Sequence, residues 1–165
     1  MDCNLSATLQ SLRNSIVVIG YGNELRSDDG VGQKIANQVE HWGVPNVRSL
    51  AVHQLTPEIA ETIADANTVI FVDAYPASDE NSTVQIISIE PADSLDSPIG
   101  HSSDPRSLLA LTEHLYDRTP HAWVITIPAF NLNFGESLSP LTEKSMEDAL
   151  EEIDYLIRTP QVSTN

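Results

Sequence analysis

Three side chains in this sequence could carry chemistry together: one carboxylate of the pair Asp28-Asp29, the carboxylate of Asp73 and the imidazole of His101. The pair lies in Gly20-Tyr21-Gly22-Asn23-Glu24-Leu25-Arg26-Ser27-Asp28-Asp29-Gly30-Val31-Gly32, directly after the apolar run Ile16-Val17-Val18-Ile19. A β-branched run closed by glycine reads as a short buried strand. The glycines let the backbone turn sharply and approach a ligand closely. An acid at the start of the following helix can be a cap. Capping needs only one acid, however, and no glycine-rich loop ahead of it. Adjacent residues near a helix start project differently, so we assign Asp29 to a cleft and Asp28 to a structural role.

Asp73 ends the run Val69-Ile70-Phe71-Val72. It is either a turn residue or an acid at a strand tip, where α/β sites are built. His101 stands in a Ser- and Asp-rich loop and gains meaning only from the two carboxylates it could meet. Its rivals are His41, His53, His114 and His121. A helix C-terminus explains His41. His53, in His53-Gln54-Leu55-Thr56-Pro57 after the second strand candidate, is the strongest alternative ligand.

Two carboxylates and one imidazole suit nickel, zinc, iron or manganese, with water completing the shell. Other chemistries lack their signatures. There is no His-Glu-x-x-His and no Gly-x-Ser-x-Gly. The dinucleotide fingerprint fails because Leu25 stands where its third glycine belongs.

The elements that must position these residues alternate along the chain. Strands are expected over residues 16–19, 47–52, 68–72, 84–89 and 123–127, and helices over 31–42, 57–66, 107–116 and 140–157. Val31, Ile35, Val39 and Trp42 repeat at the spacing of one buried helical face. Thr56-Pro57-Glu58 offers a cap with proline in the first turn. The alternation predicts an α/β fold: a single domain, a mostly parallel twisted sheet of about five strands, and helices on both faces. Ligands of such sheets gather at the carboxyl ends of the strands, so the two acids and a loop after the fourth strand carrying Gly100-His101 are expected to converge on one edge.

At 165 residues, with 24 acids, 8 bases and a formal net charge of −16, the chain reads as one domain, residues 15–159, between tails at 1–14 and 160–165. That charge argues against nucleic acid and against anionic membranes as partners. Cys3 is the only cysteine, which excludes an internal disulfide and a multi-cysteine metal site. The first fourteen residues lack a basic start and an apolar stretch, and no run reaches the ~18 apolar residues of a membrane span. A cytoplasmic protein is expected.

Gly20-x-Gly22-Asn23-x-Leu25-x-x-Asp28-Asp29-Gly30-x-Gly32 closely resembles the opening motif of the hydrogenase maturation proteases. Val69-Ile70-Phe71-Val72-Asp73-Ala74 resembles that family's second acidic motif, and Gly100-His101 its histidine motif. Phe134-Gly135-Glu136-x-Leu138-Ser139-Pro140 resembles the turn before its last helix. The resemblance implies an endopeptidase that cuts a C-terminal peptide from the large-subunit precursor of a [NiFe] hydrogenase after nickel insertion. It implies Asp29, Asp73 and His101 as catalytic and metal-contacting residues, with Gly22, Asn23 and His53 assigned to substrate binding. The nickel belongs to the substrate and is bound transiently, with no permanent cofactor. His53 to Pro57 and His101 to Arg106 also resemble the subgroup that serves bidirectional NAD(P)-linked hydrogenases.

Two other readings remain open. A receiver-like phosphoacceptor domain also has an acidic pair after its first strand and an aspartate after its third. It requires a lysine after the fifth strand, whereas Lys34 and Lys144 are the only lysines here. A catalytically inactive relative that binds nickel or the precursor would keep the same residues.

Overall fold

The computed structural model describes residues 15–95 and 104–159. The tails, with Cys3, and His101 lie outside the described residues. The chain runs β1 (Ile16–Tyr21), a 3-10 turn (Ser27–Gly30), α1 (Val31–His41), β2 (Val47–Val52), α2 (Ile59–Ala64), β3 (Thr68–Pro76), β4 (Gln85–Ile89), α3 (Pro105–Tyr116), β5 (His121–Ala129) and α4 (Pro140–Arg158). The sheet order is β2-β1-β3-β5-β4. Four strands are parallel, and β4 pairs antiparallel with β5. The expected α/β class, with its mostly parallel five-stranded sheet, is therefore observed.

Period-two alternation divides the core into two layers. Val17, Ile19, Val69 and Phe71 pack with Ile59 and Ile63 of α2 and Leu108 and Leu109 of α3. Ile16, Val18, Ile70 and Val72 pack with Val31, Ile35 and Val39 of α1 and with Ala149, Ile153 and Leu156 of α4. Every residue of β1 is buried. That is why its sequence reads as a continuous apolar run rather than an alternating one.

Three elements, β3, β5 and α2, depart furthest from expectation. β3 and β5 extend past 72 and 127 because they pair with each other as far as Pro76 and Ala129. Pro128 is tolerated because it lies past Thr126, where the β4 ladder ends, so no neighbour is deprived of a donor on that side. α2 is shorter than the expected 57–66. Ile59 and Ala60 donate to Thr56 and Pro57 at 3.1 Å in tight three-residue turns, and the helix proper starts at Ile59. Among the described residues, no helix is long and apolar enough to cross a membrane.

Candidate active site

The loop after β1 is shaped by close backbone approach. A Cβ on Gly20 would lie 1.8 Å from the Gly32 carbonyl oxygen, and one on Gly22 would lie 2.1 Å from that of Asp29. Gly22 also has φ +142°, a conformation essentially reserved for glycine. The loop folds back on itself so closely that Asn23 N–H donates to Asp29 Oδ2 at 2.9 Å. The Asn23 side chain closes a small turn by accepting from Leu25 N–H at 2.9 Å. Gln33 Nε2 donates to Gly22 O at 2.7 Å from the first turns of α1. These bonds fix the position of Asp29.

The two neighbouring acids have different fates. Asp28 is 0% exposed. Its Oδ2 accepts from Phe130 N–H at 2.9 Å, Asn131 N–H at 2.8 Å and the Ser139 hydroxyl at 2.7 Å, and its Oδ1 from Ser139 N–H at 2.7 Å. Burial alone would raise its pKa, but donation from Ser139 and Asn131 outweighs burial and holds the carboxyl below its ordinary range. Asp28 is thus the bolt between the β1 loop and the loop before α4. Ser27 adds to the junction: its N–H donates to Gly135 O at 2.7 Å and its hydroxyl to Asn133 O at 2.8 Å. Asp29 is partly exposed on the other side of the loop. Asp28 has the structural role expected of it.

Asp73 stands on β3 one residue beyond Val72, the last β3 residue paired with β1. Burial pushes its carboxyl up to about 6, aided by the nearby Asp29 carboxylate, while donation from Ala74 N–H (2.8 Å) and from the Tyr21 hydroxyl opposes the rise. The effect of the Asp29 charge on Asp73 places the two acids near one another at the carboxyl edge of the sheet. Tyr21 is 9% exposed and lies in the core layer of Val17 and Ile19. Burial and the Asp73 charge push its hydroxyl far above the ordinary phenol range. Tyr21, two residues past the expected end of β1 at Ile19, is the buried donor to Asp73. The available signal was period two. Val17, Ile19 and Tyr21 share a face with Val69, Phe71 and Asp73, and Tyr21 falls beside Asp73 in the β1–β3 register.

Among the described histidines, His53 is on this edge, exposed just past β2 and next to Val52, whose carbonyl accepts from Gly22 N–H at 3.3 Å. His121 starts β5 at the opposite edge. His41 and His114 sit in the last turns of α1 and α3.

The expected route from the end of β4 to the carboxyl edge of the sheet does not hold. β4 runs antiparallel, so its carboxyl end, at Ile89 opposite Ala122, faces the amino edge of the sheet. Past β4, Ala92 N–H donates to Arg106 O at 3.0 Å, in the first turn of α3. Asp104 caps α3, accepting from Arg106 N–H at 3.3 Å and from the Ser107 hydroxyl at 3.2 Å. Its charge lies near enough to Tyr21 to add to the rise of the phenol pKa. The start of α3 therefore lies on the side of the sheet where Tyr21 stands. Among the described residues no group of three or more His, Cys, Asp or Glu is arranged to hold a metal ion.

No protein-family model matches the chain, and no curated protein matches it in sequence. Solved structures do. A [NiFe] hydrogenase maturation protease, HycI, from Thermococcus kodakarensis aligns with a TM-score of 0.68 at 21% identity, over 92% of this chain and 99% of that one. The hydrogenase maturating endopeptidase HybD from E. coli aligns with a TM-score of 0.70 at 22% identity, over 87% of this chain and 92% of that one. HybD from Thermococcus kodakarensis gives 0.65 at 22% identity, over 87% and 99%. The chain shares the fold of solved [NiFe] hydrogenase maturation proteases, along nearly their full length.

Proposed function

We propose that this chain is a cytoplasmic endopeptidase that removes a C-terminal peptide from the nickel-loaded precursor of a [NiFe] hydrogenase large subunit. The observation that carries the reading is the meeting of Asp29 and Asp73 at the carboxyl edge of a sheet with the maturation-protease fold. His101 completes the set in this proposal. It lies three residues before Asp104, a span of at most about 10 Å of chain.

Two carboxylates and an imidazole bind nickel weakly by themselves. Soft thiolates of the precursor would complete the shell, so nickel acts as the recognition element and belongs to the substrate. Gly22, Asn23 and His53 border the same edge and are assigned to the substrate backbone and rim. Water is the nucleophile, activated by a carboxylate or by the substrate's nickel. A carboxyl with a pKa of about 6 suits that task, because it exchanges a proton readily near neutrality. The segment His53 to Pro57 supports the narrower reading that the hydrogenase is of the bidirectional NAD(P)-linked type.

The receiver-like alternative is not favoured. Such doubly wound domains use the order 2-1-3-4-5, whereas here the last two strands exchange places and the edge strand is antiparallel. Asp28 is also wholly occupied by four donors and has no oxygen free for a phosphoryl-bound metal.

Intact-mass analysis of precursor with and without nickel tests the proposal. A defined C-terminal mass loss in the nickel-loaded sample alone supports it. Loss in both samples means an ordinary peptidase, and loss in neither defeats the reading.

A further inference from the structure

We propose that Phe134 and Leu25 form the apolar anchor by which this chain docks the folded body of its protein substrate, separately from the acids that handle the scissile segment. The inference rests on the endopeptidase reading above. Phe134 is 87% exposed and Leu25 is 49% exposed. Single exposed apolar residues are ordinary. Here an aromatic ring left almost wholly in water stands in register with a second exposed apolar residue on a loop held by backbone bonds, and adjoining apolar residues of this kind form a contact surface.

The two residues belong to one rigid junction. Arg26 and Gly135 pair as a parallel bridge, and Gly135 N–H donates to Leu25 O at 2.8 Å. In parallel register the preceding residues, Leu25 and Phe134, fall side by side. The junction is continuous with the reacting edge. Three residues separate Leu25 from Asp29, and the Ser27 and Asp28 bonds lock the Phe134 loop to the same turn. Docking here would therefore set the position of Asp29 relative to the bound protein. Little backbone freedom remains to be lost on binding, which favours a hot spot.

The rim defines the partner's chemistry. Glu24, Arg26 and Glu136 are exposed around the pair, on a chain of net charge −16. The surface fits an apolar pocket on the substrate protein flanked mainly by basic side chains. A free peptide corresponding to the excised tail would not use it.

Steady-state cleavage of nickel-loaded precursor by the wild type, Phe134→Ala, Leu25→Ser and Phe134→Trp tests this, with sedimentation velocity on each protein. Because Phe134 is nearly fully exposed, its removal should leave folding intact. The expected result is a KM raised roughly tenfold or more in Phe134→Ala, with kcat within about twofold, and recovery in Phe134→Trp. Unchanged KM in both Phe134→Ala and Leu25→Ser overturns the inference while leaving the endopeptidase reading standing. So does a self-associated wild type that Phe134→Ala dissociates, since the patch would then join two copies of this chain. A wild type that never cleaves the precursor removes the endopeptidase reading, and this inference with it.

Discussion

Asp28 and Ser139 are joined twice across 111 residues of sequence: Ser139 N–H donates to Asp28 Oδ1 at 2.7 Å and the Ser139 hydroxyl to Oδ2 at 2.7 Å. Ser139 also caps α4, with its hydroxyl accepting from Thr142 N–H at 3.4 Å. One residue thus starts the last helix and ties it to the loop that presents Asp29.

Asp28→Asn should therefore cost about 2–4 kcal/mol, because an amide offers one oxygen to four donors and turns its own NH2 toward the rest. The carboxyl is held below its ordinary value in the fold. Its contribution is complete above the unfolded pKa and is lost as pH falls through the folded one. Thermal melts should show a Tm gap between wild type and variant that is full at pH 7 and closes below about pH 4. A gap independent of pH would contradict this account of Asp28.

Asp73 behaves in the opposite sense. With its folded pKa raised to about 6, its ionised form opposes folding, and the penalty grows as pH rises from about 4 through 6. Asp73→Asn keeps the bond from Ala74 N–H, so it should stabilise the chain at pH 8 by about 1–2 kcal/mol after allowance for solvent screening. Denaturant midpoints at pH 8 and pH 4 check this: the gain should appear at the first and vanish at the second.

Tyr21→Phe removes a donor that favours the charged form of Asp73. The Asp73 pKa should climb further, and the acid limb of kcat/KM against pH should move to higher pH, since that profile reports groups of the free enzyme. An unmoved limb would mean that Asp73 does not govern the profile.

Gly22→Ala tests the loop itself. An added Cβ meets the Asp29 carbonyl at 2.1 Å in a backbone conformation costing about 1–3 kcal/mol for other residues. Cleavage should fall by at least about tenfold through displacement of Asp29, with a lower Tm. Wild-type rates in a folded variant would show that the loop tolerates a different path.

Much of this architecture was legible in the residues. The run Ile16-Val17-Val18-Ile19 is uniformly apolar because β1 lies between two helical layers, and period alone found the helical faces of α1 and α4. The structural role of Asp28 was legible from its place at a helix start. What escaped was long-range. Nothing near Asp28 announces Ser139 or Asn131, because those donors are backbone and hydroxyl groups more than a hundred residues away. The direction of β4 was equally hidden, since a five-residue strand reads the same in either orientation. Tyr21 could have been found by extending the alternation of β1 one residue past its first glycine.

In the proposed function Asp29 and Asp73, and not their neighbour Asp28, act on the nickel-bearing precursor. The most direct test is intact-mass analysis of nickel-loaded precursor incubated with Asp29→Asn and with Asp73→Asn, each confirmed folded by its melt. The account predicts no C-terminal mass loss with either variant, under conditions where wild type cleaves completely. Full nickel-dependent cleavage by either one would contradict it.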